Sequence, residues 1–170
     1  MSEHEVHQIM DDMPYGMYII GSHGNGEVNG MMADWVMQVS FHPRLIAVAF
    51  ENNAHTLANI RATHAFTVNF LPEGDAGMQL AGHFAQPYDD AKIGGRLTRG
   101  VHHKLDGLPY TVTARGCPVL DGASAWLECE AEHFLSVGDH TLVVSRVLDG
   151  QLRQAAVPLT STYSGWTYSG

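Results

Sequence analysis

The alternation of apolar and polar positions divides the chain into short extended segments with little room for long helices. Residues 15–21 (YGMYIIG) form a strand candidate rich in Tyr and Ile. Asn25-Gly26, between two extended segments, predicts a hairpin turn, because both turn positions need positive φ. Residues 35–40 read as a further strand, and His42-Pro43 as a turn, since the residue before proline avoids the helical region. The unbroken apolar run 45–50 predicts a fully buried strand. In 52–65, Leu57 and Ile60 sit at helical spacing and Ala58, Ala62 and Ala65 continue a small face, giving a short helix. A strand follows at 66–71, and a second short helix at 77–85. Residues 86–107 are polar and glycine-bearing, long for a connection without structure of its own. A strand is predicted at 108–115. In 125–135 a period of two points Leu127, Cys129, Ala131 and Leu135 inward and Glu128, Glu130 and Glu132 to solvent. Gly138-Asp139 turns the chain into a strand at 142–148, and Asp149-Gly150 turns it again. Residues 1–13 read as a polar lead-in, and the tail 160–170 as small, polar and aromatic. Roughly seven strands with two short helices fit a mostly β fold, a closed or partly closed antiparallel barrel that removes its own sheet edges. With no internal repeat or composition break, 1–170 is expected to be a single domain.

The stretch 28–50 departs from plain core patterning. Asn29, Asp34, Gln38 and Ser40 are interleaved with Met31, Met32, Trp35 and Met37. Buried polar groups need partners, and a site for an amphipathic ligand has a use for them. The apolar fraction of 45% and charged fraction of 16% are those of a globular chain. The net charge of -9 argues against a nucleic-acid surface, while a small anion can still be held by backbone N–H groups. Neither Cys117 nor Cys129 belongs to a CxxC, so both read as buried small hydrophobes. The acidic start is no signal peptide and no run approaches the ~20 apolar residues of a membrane helix, so a cytoplasmic setting is expected.

Several chemistries fail on spacing. Gly24, Gly26 and Gly30 mimic a dinucleotide loop, but the helix that should follow is missing. No G-x-S-x-G elbow occurs. The eleven histidines include no H-x-x-x-H and no H-x-H, so no metal site is expected, and a histidine-rich metal or haem binder is a minor alternative. A flavin needs an apolar slot for its ring, backbone and small polar groups for the ring edges, and donors for its phosphate. Residues 29–40 can supply the first two. Asn53, His55 and Thr56, at a helix start, can supply an anion site, with Lys92 as counter-charge. His140, after Gly138-Asp139 at the start of a strand, can be aimed into a pocket by that turn.

NGMMADWVMQVSFHPRLIAVAFENNAHT, HTLANIRATHAFTVNFL, LAGHFA, GCPVLDGASAWLECE and VGDHTLVVSRV together resemble the flavin reductase-like, FMN-binding split-barrel family over roughly residues 14–170. The resemblance implies an antiparallel split β-barrel of Greek-key type with two or three short helices. It implies a homodimer, FMN (or FAD) as cofactor, NAD(P)H as co-substrate, and electrons passed on to free flavin, a monooxygenase or an electron-transfer partner. By this likeness Asn29, Gly30, Met31, Met32, Ala33, Asp34 and Trp35 line the ring and ribityl chain, and Gln38, Val39 and Ser40 add ring-edge or phosphate contacts. Asn53, Ala54, His55 and Thr56 meet the phosphate, with Phe84 and Lys92 nearby. His140 matches the family's G-D-H histidine on the nicotinamide side and is the catalytic candidate. Met32 stands where threonine is usual and Asp34 where a neutral residue is commoner; Arg44 replaces a second proline. These departures leave a second reading, an FMN-binding electron-transfer or ligand-binding module without NAD(P)H activity.

Overall fold

The computed structural model describes residues 2–93 and 95–168. In chain order the elements are α1 (Glu3–Asp11), β1 (Tyr18–Gly24), β2 (Glu27–Ala33), β3 (Val36–Ser40), β4 (Leu45–Glu51), α2 (His55–Thr63), β5 (Ala65–Phe70), α3 (Asp75–Phe84), β6 (Ala91–Ile93), β7 (Arg96–Thr98), β8 (Tyr110–Val112), β9 (Pro118–Leu120), β10 (Ala125–Val137), β11 (His140–Leu152) and α4 (Ser161–Ser164).

Seven strands form one antiparallel sheet in the order β2-β1-β5-β10-β11-β4-β3. Its two edge strands, β2 and β3, are consecutive in sequence and separated only by Asp34 and Trp35. The sheet therefore curls until its edges meet at that link, but no β2–β3 ladder closes it among the described residues. Of the closed or partly closed forms the pattern allows, the described residues show an open, curled sheet. Asn25 (φ 52) and Gly26 (φ 82) make the β1–β2 turn as predicted, both left-handed.

Two apolar layers flank β1 and β2. Inside the curl, Ile20, Val48, Phe50, Phe66, Val68 and Val143 pack with Leu57 and Ile60 of α2. Burying each phenylalanine there contributes about 2–3 kcal/mol. On the other face, Met17, Ile19, Leu71, Leu120 and Leu159 pack with Ala81 and Phe84 of α3. Neighbouring Ile19 and Ile20 thus serve opposite layers, as alternation requires.

Several expectations are corrected. Within the polar lead-in, Glu3–Asp11 form α1, which buries no residue and opens on a capping box in which Ser2 and Glu5 satisfy each other's backbone N–H. The loop 86–107 contains the small β6–β7 hairpin, and the predicted strand 108–115 shrinks to β8, paired with the unforeseen β9. β10 carries two register shifts, so its alternation breaks: Glu128 is buried and Leu135 is half exposed. Asp149-Gly150 does not turn the chain, because β11 runs on to Leu152 with Gly150 opposite Leu127. A Cβ on Gly150 would lie 2.7 Å from the Trp126 carbonyl oxygen, so glycine permits close strand approach there. No helix among the described residues is long and apolar enough to cross a membrane.

Candidate functional site

The Asp34–Trp35 link is the pivot. Asp34 is 5% exposed, and its Oδ2 is buried without a hydrogen-bond partner. Burial pushes its carboxyl up to about 6, against N–H groups of Asp34 and Trp35 and the nearby His140, which favour the charge. Trp35 turns outward, 38% exposed, with its ring 4.9 Å from the His140 ring and 5.2 Å from that of Tyr168. His140 opens β11 beside Glu51, its partner on β4.

Hydrogen bonds tie this cluster together. His140 Nδ1 lies 2.7 Å from Asp139 Oδ1, so Nδ1–H donates to the carboxylate. Tyr168 donates its hydroxyl proton to Glu51 Oε1 at 2.6 Å, and its oxygen lies 3.3 Å from His140 Nε2. The bond to His140 holds the Asp139 carboxyl below its usual range. Burial, then the Glu51 bond, raises the Tyr168 phenol.

A second cluster lies at the other end of β2. Asn29 Nδ2 donates to the His102 carbonyl, and its Oδ1 accepts from the Gly30 N–H at 2.7 Å. The His102 ring stacks on Tyr88 at 4.5 Å, and Tyr88 stacks on His55 at 3.7 Å with 5° between planes. His55 is the first residue of α2, whose N-cap Ala54 offers no side-chain bond, so the first N–H groups remain available. Lys104, 3% exposed, donates Nζ to the Phe84 carbonyl at 3.3 Å, and burial pushes its ammonium down to about 8. Burial also lowers the His55 imidazole, with Lys104 and His102 as like-charged contributors.

Gln38, Val39 and Ser40 lead away from both clusters. Ser40 pairs with Leu45, at the end of β4 opposite Glu51. Gln38 and Met37 line a cleft of about 340 Å³ with Tyr18, Arg44, Phe70 and Val147. Along this edge Trp35, Met37, Val39 and Phe41 are all exposed, the last by 76%.

The fold thus splits the sequence-predicted residues. It brings Asp34, Trp35 and His140 together, and Asn29 to the loop that stacks on His55. Met31 packs into the layer inside the curl and Met32 into the opposite one, so these two side chains cannot share one ligand face. Ala33 is core, Thr56 is buried beneath α2, and Asn53 is exposed in the turn before it. Phe84, 1% exposed, packs on Gly30, whose Cβ would meet its ring at 2.8 Å; it supports β2 from behind and has no ring face free for a ligand. Lys92 is exposed on β6. Sequence reasoning missed Glu51, Tyr88, Lys104 and Tyr168. Tyr88, in the long loop, and Tyr168, in the aromatic tail, lay in segments whose composition had already marked them as unusual.

Comparison with known proteins follows this geometry. Residues 10–167 match the flavin reductase like domain. The chain belongs to that family. Its relatives include the NAD(P)H ferric-chelate reductase of Archaeoglobus fulgidus, 31% identical over 86% of this chain and 80% of that protein. Another is diflavin flavoprotein A 1 of Synechocystis, 32% identical over 82% of this chain but only 22% of that protein. This flavin reductase-like chain therefore spans about a fifth of the length of the diflavin flavoproteins it matches. The solved flavin reductase PheA2 covers all of it at 26% identity, with a TM-score of 0.77 and 99% of that chain aligned.

The residues present fit a flavin. Trp35 offers an exposed ring face, Asp34 Oδ2 is a buried polar atom lacking a partner, and the uncapped start of α2 with Lys104 offers an anion end. Among the described residues no three His, Cys, Asp or Glu are arranged to hold a metal.

Proposed function

We propose that the chain is an NAD(P)H-dependent flavin reductase that holds FMN between the two ends of β2. The observation that carries this reading is the Asp34–Trp35–His140 cluster, an exposed aromatic ring beside an imidazole and an unpartnered buried carboxyl. From Asn29 to Asp34 an extended chain runs about 17 Å, a span suited to a ligand with a ring at one end and a phosphate at the other. FMN held there would supply the redox chemistry, the transfer of a hydride from NAD(P)H and of electrons to free flavin or a partner protein.

The protein's own share is positioning and charge. Trp35 gives the ring an apolar wall. His140, bonded to Asp139 and Tyr168, holds an imidazole ring beside that wall. The His55 end, with its free N–H groups and Lys104, receives the anion. The apolar stripe Trp35, Met37, Val39 and Phe41 on an edge strand favours a homodimer in which a second copy covers it. The dimer would make each curled sheet one half of a split-barrel pair, and would bring Gln38, Val39 and Ser40 to a shared site. Buried, unpaired Cys117 and Cys129 suit a reducing, cytoplasmic compartment.

To test this, the purified protein is scanned in the visible range and then given NAD(P)H anaerobically. Bound flavin that bleaches supports the reading; a protein that neither carries nor accepts flavin overturns it. One observation favours a second reading, a flavin-binding electron-transfer module. His140 is only 9% exposed beneath Trp35 and Tyr168, which screens it from a nicotinamide. Flavin that bleaches with a reduced protein donor but not with NAD(P)H would establish that module.

A further inference from the structure

Both ring nitrogens of His140 are already covered. Nδ1 lies 2.7 Å from Asp139 Oδ1, Nε2 lies 3.3 Å from the Tyr168 hydroxyl, and the residue is 9% exposed. The two covers differ in kind. Asp139 is the neighbouring residue, in the turn between β10 and β11. Tyr168 comes from the segment after α4 and reaches the imidazole from 28 positions away. The backbone of that segment is pinned: the Tyr15 hydroxyl donates to the Trp166 carbonyl at 3.2 Å and sits against the Tyr168 N–H, and the Trp166 ring packs into the layer that holds α3. The Tyr168 side chain is held differently. Its hydroxyl bonds the Glu51 carboxylate at 2.6 Å, its ring stands at 62° to Trp35 with centroids 5.2 Å apart, and the residue is 37% exposed. Below it nothing gives way easily. His140 is paired with Glu51 in the β4–β11 ladder, and the Trp35 carbonyl accepts from Ala49 N–H on β4 at 3.1 Å. A turn of the Tyr168 side chain to another staggered position therefore uncovers Nε2 without breaking any strand pairing.

We propose that Tyr168 is a gate on His140. With its hydroxyl on Glu51 it covers the imidazole; turned outward, it opens a slot beside Trp35 for a flat ring that carries a hydrogen-bonding group. On the reading above that ring is the nicotinamide of NAD(P)H, so the inference rests on that reading and says how the screened imidazole comes within its reach. The closed state weakens binding, because a ligand that needs the open form has its dissociation constant raised by the inverse of the open fraction. A phenol–carboxylate bond favours the closed form by about tenfold, and losing the gate should tighten binding by up to that factor. A residue that lined the bound ring would act in the reverse sense, since its loss would weaken binding.

Carbethoxylation of His140 by diethyl pyrocarbonate, read on the full chain by peptide mass spectrometry, measures the gate without any flavin. Rates are compared at their alkaline plateau, so that a change in the imidazole's own titration does not enter. His140 is expected to react about tenfold faster in Tyr168→Ala than in the wild type. It should also react faster in Glu51→Gln, which keeps the phenol and removes its anionic clamp. Tyr168→Phe, which keeps the ring and loses both bonds, takes the place of the alanine variant should that not fold. In steady-state kinetics the KM for NAD(P)H is expected to fall several-fold in Tyr168→Ala, with kcat changing less. Equal modification rates in wild type and Tyr168→Ala, or a raised KM in that variant, would overturn the inference. Modification rates that differ as expected, in proteins that do not oxidise NAD(P)H with flavin, would uphold the gate and overturn the functional reading instead.

Discussion

The two ends of β2 are built in opposite ways. At the Asn29 end the side chain is fully used within the fold: the amide donates to the His102 carbonyl and accepts from Gly30, and three rings stack behind it. At the Asp34 end a carboxyl oxygen is buried with no partner. Both residues are more than nine-tenths buried, so the difference lies in satisfaction, not exposure. A satisfied buried amide holds a loop in place, whereas an orphaned carboxyl raises the free energy of the folded protein until something completes it.

The strongest way to break this contrast is through the strand that joins the two ends. Gly30→Val would force Cβ and two methyls into the Phe84 ring and Ile19, and should destabilise the fold by about 3 kcal/mol in urea unfolding. Asn29→Ala removes the donor to the His102 carbonyl and leaves the buried Gly30 N–H without its side-chain acceptor, at about 2 kcal/mol, with faster proteolysis of the 86–107 loop. Asp34→Asn should act in the reverse direction. The folded carboxyl lies at about 6 against an ordinary 3.8, so the protonated form is the one the fold favours. That stability is complete below about pH 4 and is lost as pH rises through about 6. The asparagine variant should therefore match wild type near pH 4 and exceed it by about 2 kcal/mol at pH 8, read from thermal midpoints across pH. Equal midpoints at pH 8 would remove the contrast between the ends. The smallest effect is expected from Tyr88→Leu, which keeps apolar area but loses both stacks, at about 1 kcal/mol.

Much of this was legible in sequence. The Asn25-Gly26 turn, the strand at 45–50 and the helix behind Leu57 and Ile60 were all anticipated by pattern. The capping box of α1 was also written there, as Ser2 and Glu5 at the spacing the motif requires. Other features were not. Alternation along 125–135 predicted a wet row of glutamates, but two register shifts turn Glu128 inward, and bulges leave no mark on hydrophobic period. Tyr168 reaches Glu51 across 117 positions, and no local rule foresees such a contact.

By itself, then, the sequence determined where strands and turns lie, because those follow from backbone sterics and the burial of alternate side chains, which act over a few residues. It also marked the 28–50 stretch as too polar for a plain core. Only the tertiary structure decided where those polar groups come to lie. Curling of the sheet brings its first and last strands to a two-residue link. That closure seals Asp34 away from water, faces Trp35 toward His140, and leaves one carboxyl oxygen without a partner. Burial and unmet bonding belong to the packed assembly of distant segments, so no window of the chain contains them.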